Sequence, residues 1–309
     1  MTELYLYKRE YSENADKLTE IKPLTSNEVE FISKNSSLLI DFQKHHALIE
    51  YVILNYNEVS DLLVNLTKKI TNAEQSSLDY PFENFYLEAN SVILNFLASA
   101  RTLLDHMETS INRKYSKQSK QLSYFNEVTS KEYDTTFSYK FMSRLRNYVQ
   151  HCGMPPLSYN LQKSFDYDNL IVESNLVVYF EREQLLKNFS KWGEIVKQDL
   201  LGQDEKFPAI PLINEYIYSL VKIHVNFTKE FYITEILEAK DNILSVINEK
   251  EGYSSNGYCF GKITPNGDSI RIEISTIPTS LLSKIYHFTH LQYLLEAKKN
   301  KYHFQYGEL

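Results

Sequence analysis

Apolar positions recur every three or four residues along most of this chain, and only a few short stretches alternate. From Leu39 to about Ile70, the residues Leu39, Phe42, His46, Ile49, Ile53, Tyr56, Leu63 and Leu66 share one side of a helix. Thr25 with Glu28 three residues later is a capping-box pattern, so a helix is expected to begin there. Pro81 suits the opening of the next helix, which keeps the period through Phe85, Ala89, Val92, Phe96, Ala100, Leu103, Met107 and Ile111 to about Arg113. A further helix is expected from Thr136 to Cys152, on Phe137, Phe141, Leu145, Tyr148, Val149 and Cys152. Arg182 to Leu201 reads as one helix, with Leu185, Leu186, Phe189, Trp192, Ile195, Val196 and Leu200 on one face. The last long helix opens near Pro211 and carries Ile213, Ile217, Leu220, His224, Phe231, Ile243 and Ile247, which makes His224 a core histidine.

Period two is confined to three places. Met1 to Pro23 alternates weakly, as an edge strand or an extended arm would. Leu157–Phe165 and Asn169–Phe180 read as strands, the second with a turn or bulge at Ser174 and Asn175. Near Gly252 the texture changes, and Gly257–Ile263 and Ser269–Ser275 flank Pro265-Asn266-Gly267-Asp268, a hairpin signal. A final helix from Thr279 to Lys299 ends in a basic patch at Lys298, Lys299 and Lys301. Lys114 to Thr136 is polar and weakly patterned, so it reads as a long loop. The resulting expectation is a mainly α protein with small β elements. It has a helical domain over residues 1–252, a short β insertion near 157–181, and an α+β appendage over 253–309.

Composition narrows the picture only slightly. Eight Gly and eight Pro in 309 residues favour long helices over a turn-rich sheet protein. A net charge of −7 argues against a general nucleic-acid coat, while leaving room for a local basic cleft. Arg113, Lys114, Lys117 and Lys120 lie together, followed by Lys140, Arg144 and Arg146; Arg113, Lys114, Lys117, Lys120 and Lys140 are the candidate RNA contacts, the first cluster being otherwise a plain solvated face. Cys152 and Cys259 do not make a disulfide framework or a zinc site, and His45 and His46, being adjacent on a helix, diverge too far to share a metal. No cofactor or metal is expected. A charged N-terminus and the lack of a long apolar run point to a cytoplasmic protein with no membrane association.

One stretch carries a chemistry. Ser143 to Pro156 reads as the end of a helix, closed by Gly153 and barred from continuing by Pro155 and Pro156. Arg144, Arg146, Asn147 and His151 lie within two turns of that stop. A permanently charged guanidinium holds phosphate oxygens, and an imidazole moves a proton near neutral pH. Neither a phosphate-cradling glycine loop nor a metal-ligand spacing accompanies them.

Arg146-Asn147-Tyr148-Val149-Gln150-His151 resembles the signature of the HEPN superfamily, in which an Arg and a polar residue are followed by His four to six positions after the Arg. The resemblance implies a helical bundle and a metal-independent ribonuclease that builds a composite cleft as a homodimer. Toxin and phage-defence roles are common in the family, and some such toxins have a neutralising protein partner. It makes Arg146, Asn147 and His151 the catalytic set, while Arg144, seven residues before His151, stays open as the alternative arginine. Arg101 and His106 repeat the spacing with Thr102 in the polar slot, and with Asp105 they are candidate supporting residues or a plain intrahelical ion pair. The other reading is a HEPN-like module that binds RNA or protein without cutting.

Overall fold

The computed structural model describes residues 4–10, 17–72, 84–166, 171–248, 257–266 and 269–297. In chain order these form β1 (Leu4–Glu10), β2 (Lys17–Leu24), α1 (Ser26–Asn72), α2 (Phe85–Tyr115), α3 (Lys120–Thr135) and α4 (Phe137–Cys152). They continue with β3 (Leu157–Asp166), β4 (Ile171–Glu181), α5 (Arg182–Asn188), α6 (Glu194–Leu201), β5 (Lys206–Pro208) and α7 (Ala209–Phe231). Then come α8 (Ile233–Ile247), β6 (Gly257–Asn266), β7 (Ser269–Ile277), a short 3-10 turn at Thr279–Leu281, and α9 (Leu282–Glu296). The chain is thus mainly helical with small antiparallel sheets, as its periodicity predicts. Among the described residues, no helix is long and apolar enough to cross a membrane.

The contacts divide the chain into two units, Met1–Ala47 with Val225–Glu296, and one built on Leu48–His224. Helices α1 and α7 run through both. This replaces the boundary expected near residue 252. The C-terminal hairpin is not an appendage, because β1 pairs with β6 (Leu6 opposite Phe260, Tyr7 opposite Cys259) in a four-stranded sheet ordered β2-β1-β6-β7. The two ends of the chain therefore close one sheet, and the expected N-terminal arm is a hairpin within it. Pro81 and the basic patch at Lys298, Lys299 and Lys301 lie outside the described residues.

In this first unit the capping box forms as expected. Glu28 N–H donates to Thr25 Oγ1 at 3.2 Å, and Thr25 N–H donates back to Glu28 Oε2 at 2.8 Å. Lys22 also reaches Glu28 at 2.8 Å, and these hydrogen bonds, that of Lys22 first, hold the Glu28 carboxyl down at about 2. Ile32, Leu39 and Phe42 of α1 are buried, with Phe42 edge-on to Phe288 of α9, and Asn242 of α8 donates to Asn35 of α1 at 3.0 Å. The helix expected to run unbroken from Pro211 past Ile243 is two, because Tyr232 leaves helical geometry (φ −131°, ψ −33°) between α7 and α8.

In the second unit, α4 packs against α2, α3 and α6. Most of the supposed loop from Lys114 to Thr136 is helix α3, started by Ser119, whose Oγ accepts from Leu122 N–H at 3.2 Å. Only Leu122, Phe125 and Glu132 of α3 are buried, too sparse a stripe to show as periodicity. The helix expected over 182–201 is broken into α5 and α6 over residues 189–193, where Phe189 is extended (φ −140°, ψ 117°) and Gly193 precedes α6 at φ +79°, a conformation that favours glycine. Ser174 and Asn175 make no bulge, since β3 and β4 pair in continuous register from Leu157–Phe180 to Asp166–Ile171. β5 adds a third, short strand through Phe207 opposite Phe180. His224 is buried as expected.

Loss of the Thr25 cap should be measurable. Thr25→Ala is expected to destabilise the fold by about 1 kcal/mol in denaturant titrations. Glu28 is depressed from an ordinary value of 4.5, so its contribution is complete above that pH and is lost as pH falls toward about 2. Thermal melts over that window should show Glu28→Gln less acid-sensitive than the wild type.

Candidate functional site

Helix α4 is held by aromatic packing along one side. Phe141 stacks on Trp192 with ring centres 5.7 Å apart, and Tyr148 stacks on the same indole at 5.8 Å. Phe180 and Phe207 meet Phe141 edge-on at 5.2 and 5.6 Å, and Phe189 meets Tyr148 in the same way at 5.8 Å. Trp192 is buried and its Nε1 donates to Leu185 O at 3.1 Å, so the ring is satisfied as well as packed. A continuous helix was the natural reading because Leu185, Trp192 and Val196 keep helical spacing across the break between α5 and α6.

The end of α4 is pinned by its surroundings. Gly153 closes it at φ +101°, as the sequence predicts. Cys152 Sγ donates to Asn188 O at 3.2 Å, Asn188 Nδ2 donates to the Tyr148 hydroxyl at 3.3 Å, and Glu181 N–H donates to Pro156 O at 3.1 Å. His151 lies within this frame and is exposed.

Faces on α4 divide the candidate residues. At about 100° per residue, Arg144, Asn147 and His151 fall within about 60° of arc, and Arg146 lies about 140° from His151. Arg146 extends along its own face, where its guanidinium hydrogen-bonds Gln150 Oε1. Arg144 Nε reaches the Tyr133 hydroxyl of α3 at 3.4 Å, and a side chain on Gly193 would stand 3.8 Å from its Nη2. One chain therefore brings Arg144, Asn147 and His151 to a common side and leaves Arg146 on the other.

The supporting candidates sit apart from that side. Arg101 pairs with Asp105 at 2.7 Å on a half-exposed part of α2, the plain intrahelical ion pair, and His106 is exposed. Arg101 also acts on Tyr139 and Tyr216. Burial raises both phenols, Tyr216 to about 12, and the Arg101 charge opposes the rise. Tyr139 and Ser143, which hydrogen-bonds Tyr216, share the α4 face of Arg146, so Arg101 belongs to the side of α4 away from His151.

Arg113, Lys114, Lys117 and Lys120 are exposed and gather at the turn from α2 to α3, with Lys114 5.2 Å from the centre of the Tyr115 ring. Lys140 does not join them. It is buried and paired with Asp199 of α6 at 2.7 Å, a structural ion pair rather than an exposed RNA contact. Its position on the first turns of α4 gave no sign of this, because Asp199 is distant in sequence.

A second grouping escaped the sequence reading. His46 Nε2 lies 2.8 Å from His287 Nδ1 on α9, both buried, with the Phe42 ring stacked on His46 and Phe288 edge-on to it. Glu50 follows one turn along α1, on the same face as His46. Imidazole and carboxylate are metal-ligand types, yet no spacing rule joins residues 241 apart in sequence. Both cysteines are free thiols, Cys152 exposed and Cys259 buried. No family model, curated protein or solved structure matches this chain.

Stability should separate the two sides of α4. Trp192→Ala and Phe141→Ala are expected to cost about 3–5 kcal/mol. Arg146→Ala and His151→Ala, off the aromatic side, should stay within about 1 kcal/mol in the same denaturation measurements.

Proposed function

We propose that this protein is a metal-independent endoribonuclease of HEPN type, working in the cytoplasm in a toxin or anti-phage role. The observation that carries the reading is the exposed His151 on the last turn of a helix whose apolar side is clamped, with Asn147 and Arg144 on the same face. Support for the HEPN-like bundle comes from helices α2, α3 and α4 packing together, α4 carrying the Arg146–His151 signature.

In this mechanism His151 accepts the proton of the ribose 2′-hydroxyl, whose oxygen forms a bond to the adjacent phosphorus. The bond from phosphorus to the 5′-oxygen breaks, and the leaving oxygen takes up a proton from water or from the protonated His151, whose ring ends the step neutral. An arginine stabilises the charge gathered on the non-bridging oxygens by paired hydrogen bonds. Asn147, one turn before His151, orients the ring or holds a phosphate oxygen.

Divergence of Arg146 from His151 argues for a homodimer in which Arg146 of one copy reaches the His151 cleft of the other, while Arg144 supplies the arginine in cis. The exposed cluster at the turn from α2 to α3 suits the RNA backbone. A neutralising protein partner would cover the same cleft. One observation favours the alternative, a non-catalytic RNA- or protein-binding module: Arg146 is engaged by Gln150 on the far side of α4.

Purified protein with RNA and chelator tests the reading. Cleavage should give 2′,3′-cyclic phosphate and 5′-hydroxyl ends. His151→Ala should abolish cutting while largely sparing binding, and a 2′-deoxy substitution at the cut position should block it. Tight RNA binding with no cutting by the wild type would instead establish the binding module.

A separate measurement addresses the composite site. Mixed dimers of Arg146→Ala and His151→Ala chains should regain one intact cleft per dimer, about half the wild-type turnover, since one cleft receives both intact residues and the other neither. Activity retained by a monomer in light scattering would remove the composite cleft.

A further inference from the structure

Among the described residues, the four-stranded sheet ordered β2-β1-β6-β7 has two unlike edges. Natural sheets protect an open edge with lysines, proline, short strands or bulges, because a bare edge recruits another strand. β2 has these protections. It carries Lys17, Lys22 and Pro23, and its register with β1 shifts between Leu6 and Tyr7. β7 lacks lysine, proline and a register shift, and its two charges, Arg271 and Glu273, are of opposite sign. It reads SIRIEISTI over nine residues and pairs with β6 in continuous register from Tyr258–Ile277 to Asn266–Ser269. Ile270 and Ile272 on it are 66% and 52% exposed, and Ile263, opposite Ile272 on β6, is 36% exposed.

We propose that β7 is the seam of a homodimer, in which two copies pair antiparallel about a two-fold axis through Ile272. That register places Ile272 opposite Ile272, Ile270 opposite Ile274, and Ser269 opposite Ser275. It also places Arg271 of each copy opposite Glu273 of the other. Cross-strand partners share a face, so the apolar and the charged side chains are matched on opposite sides of the seam. On one side a row Ile263–Ile272 in one copy continues into Ile272–Ile263 of the other. On the other side Glu273, already 3.0 Å from Lys262 and 2.6 Å from Arg271 in its own chain, gains the second copy's Arg271.

The neighbouring registers are disfavoured by charge. An axis through Arg271 sets arginine against arginine, and one through Glu273 sets glutamate against glutamate. Axes through Ile270 or Ile274 form no cross-copy ion pair. The occupant of this edge is therefore a second copy of the chain, in one register, and the product is a continuous eight-stranded antiparallel sheet. Nothing in it depends on the ribonuclease reading or on an interface through α4.

The test is oxidative cross-linking of the full chain with Cys152 replaced by serine, so that the remaining native thiol is the buried Cys259. Antiparallel partners have Cα atoms about 4.5–5.5 Å apart, within disulfide reach. Ile272→Cys should form a covalent dimer at micromolar concentration at least roughly tenfold faster than Ser275→Cys, whose own counterpart lies six residues along the opposing strand. Adding Arg271→Glu should slow the Ile272→Cys cross-link about tenfold by setting like charges together at both ends of the seam, and adding Glu273→Arg as well should restore it. Circular dichroism confirms that each variant is folded, as expected for exposed positions. Absence of the Ile272 cross-link, equal rates at 272 and 275, or failure of the double charge exchange to restore the rate would each overturn the proposal.

Discussion

Stacking of Phe141 and Tyr148 on the indole of Trp192 fixes which side of α4 meets solvent, and the chemistry available at the helix end follows from that. Phe180, Phe189 and Phe207 complete the cluster from β4, the link after α5, and β5. An aromatic group of this size cannot rotate out without opening a cavity worth several kcal/mol. With the aromatic side held, His151 is carried to the exposed side, and Arg146 is held about 140° from it. The cysteine and asparagine hydrogen bonds at the end of α4 then limit fraying where the histidine stands.

That constraint decides how an arginine and a histidine can cooperate here. Arg144 and His151 share a face in one chain, whereas Arg146, nearer in sequence, does not. Sequence proximity and spatial proximity diverge because 3.6 residues per turn place position i+5 far around the helix and position i+7 nearly in line. Arg144 and His151 therefore face one side of a single helix, and Arg146 faces another. Lys140 shows a related effect: a lysine among basic neighbours in sequence is taken out of the surface by an aspartate almost sixty positions away.

Closure of one sheet by the two ends of the chain has its own consequence. β1 can pair with β6 only after most of the chain has been made, so this sheet is a late, long-range element. Among the described residues it leaves β2 and β7 as edges of very different character, the one carrying lysines and a proline and the other neither. His46 and His287 meet in the same unit and are again supplied by opposite ends of the sequence.

By itself the sequence determined the helical character, the Thr25–Glu28 cap, the stop at Gly153, the pairing strands after Pro156, the hairpin strands β6 and β7, and the burial of His224. Each depends on residues within a few turns of one another, so the information is local. It also placed His151 off the apolar stripe of α4, which periodicity alone supplies. Only the tertiary structure decided that α5 and α6 are separate, because residues 189–193 break a run whose hydrophobic spacing never falters. Tertiary contacts also make α3 a helix despite a sparse stripe, bury Lys140 against Asp199, join the chain ends in one sheet, and bring His46 to His287. For Lys140, the shared sheet and the histidine pair the deciding partner is remote in sequence, and an interaction between remote residues leaves no periodic trace in either segment.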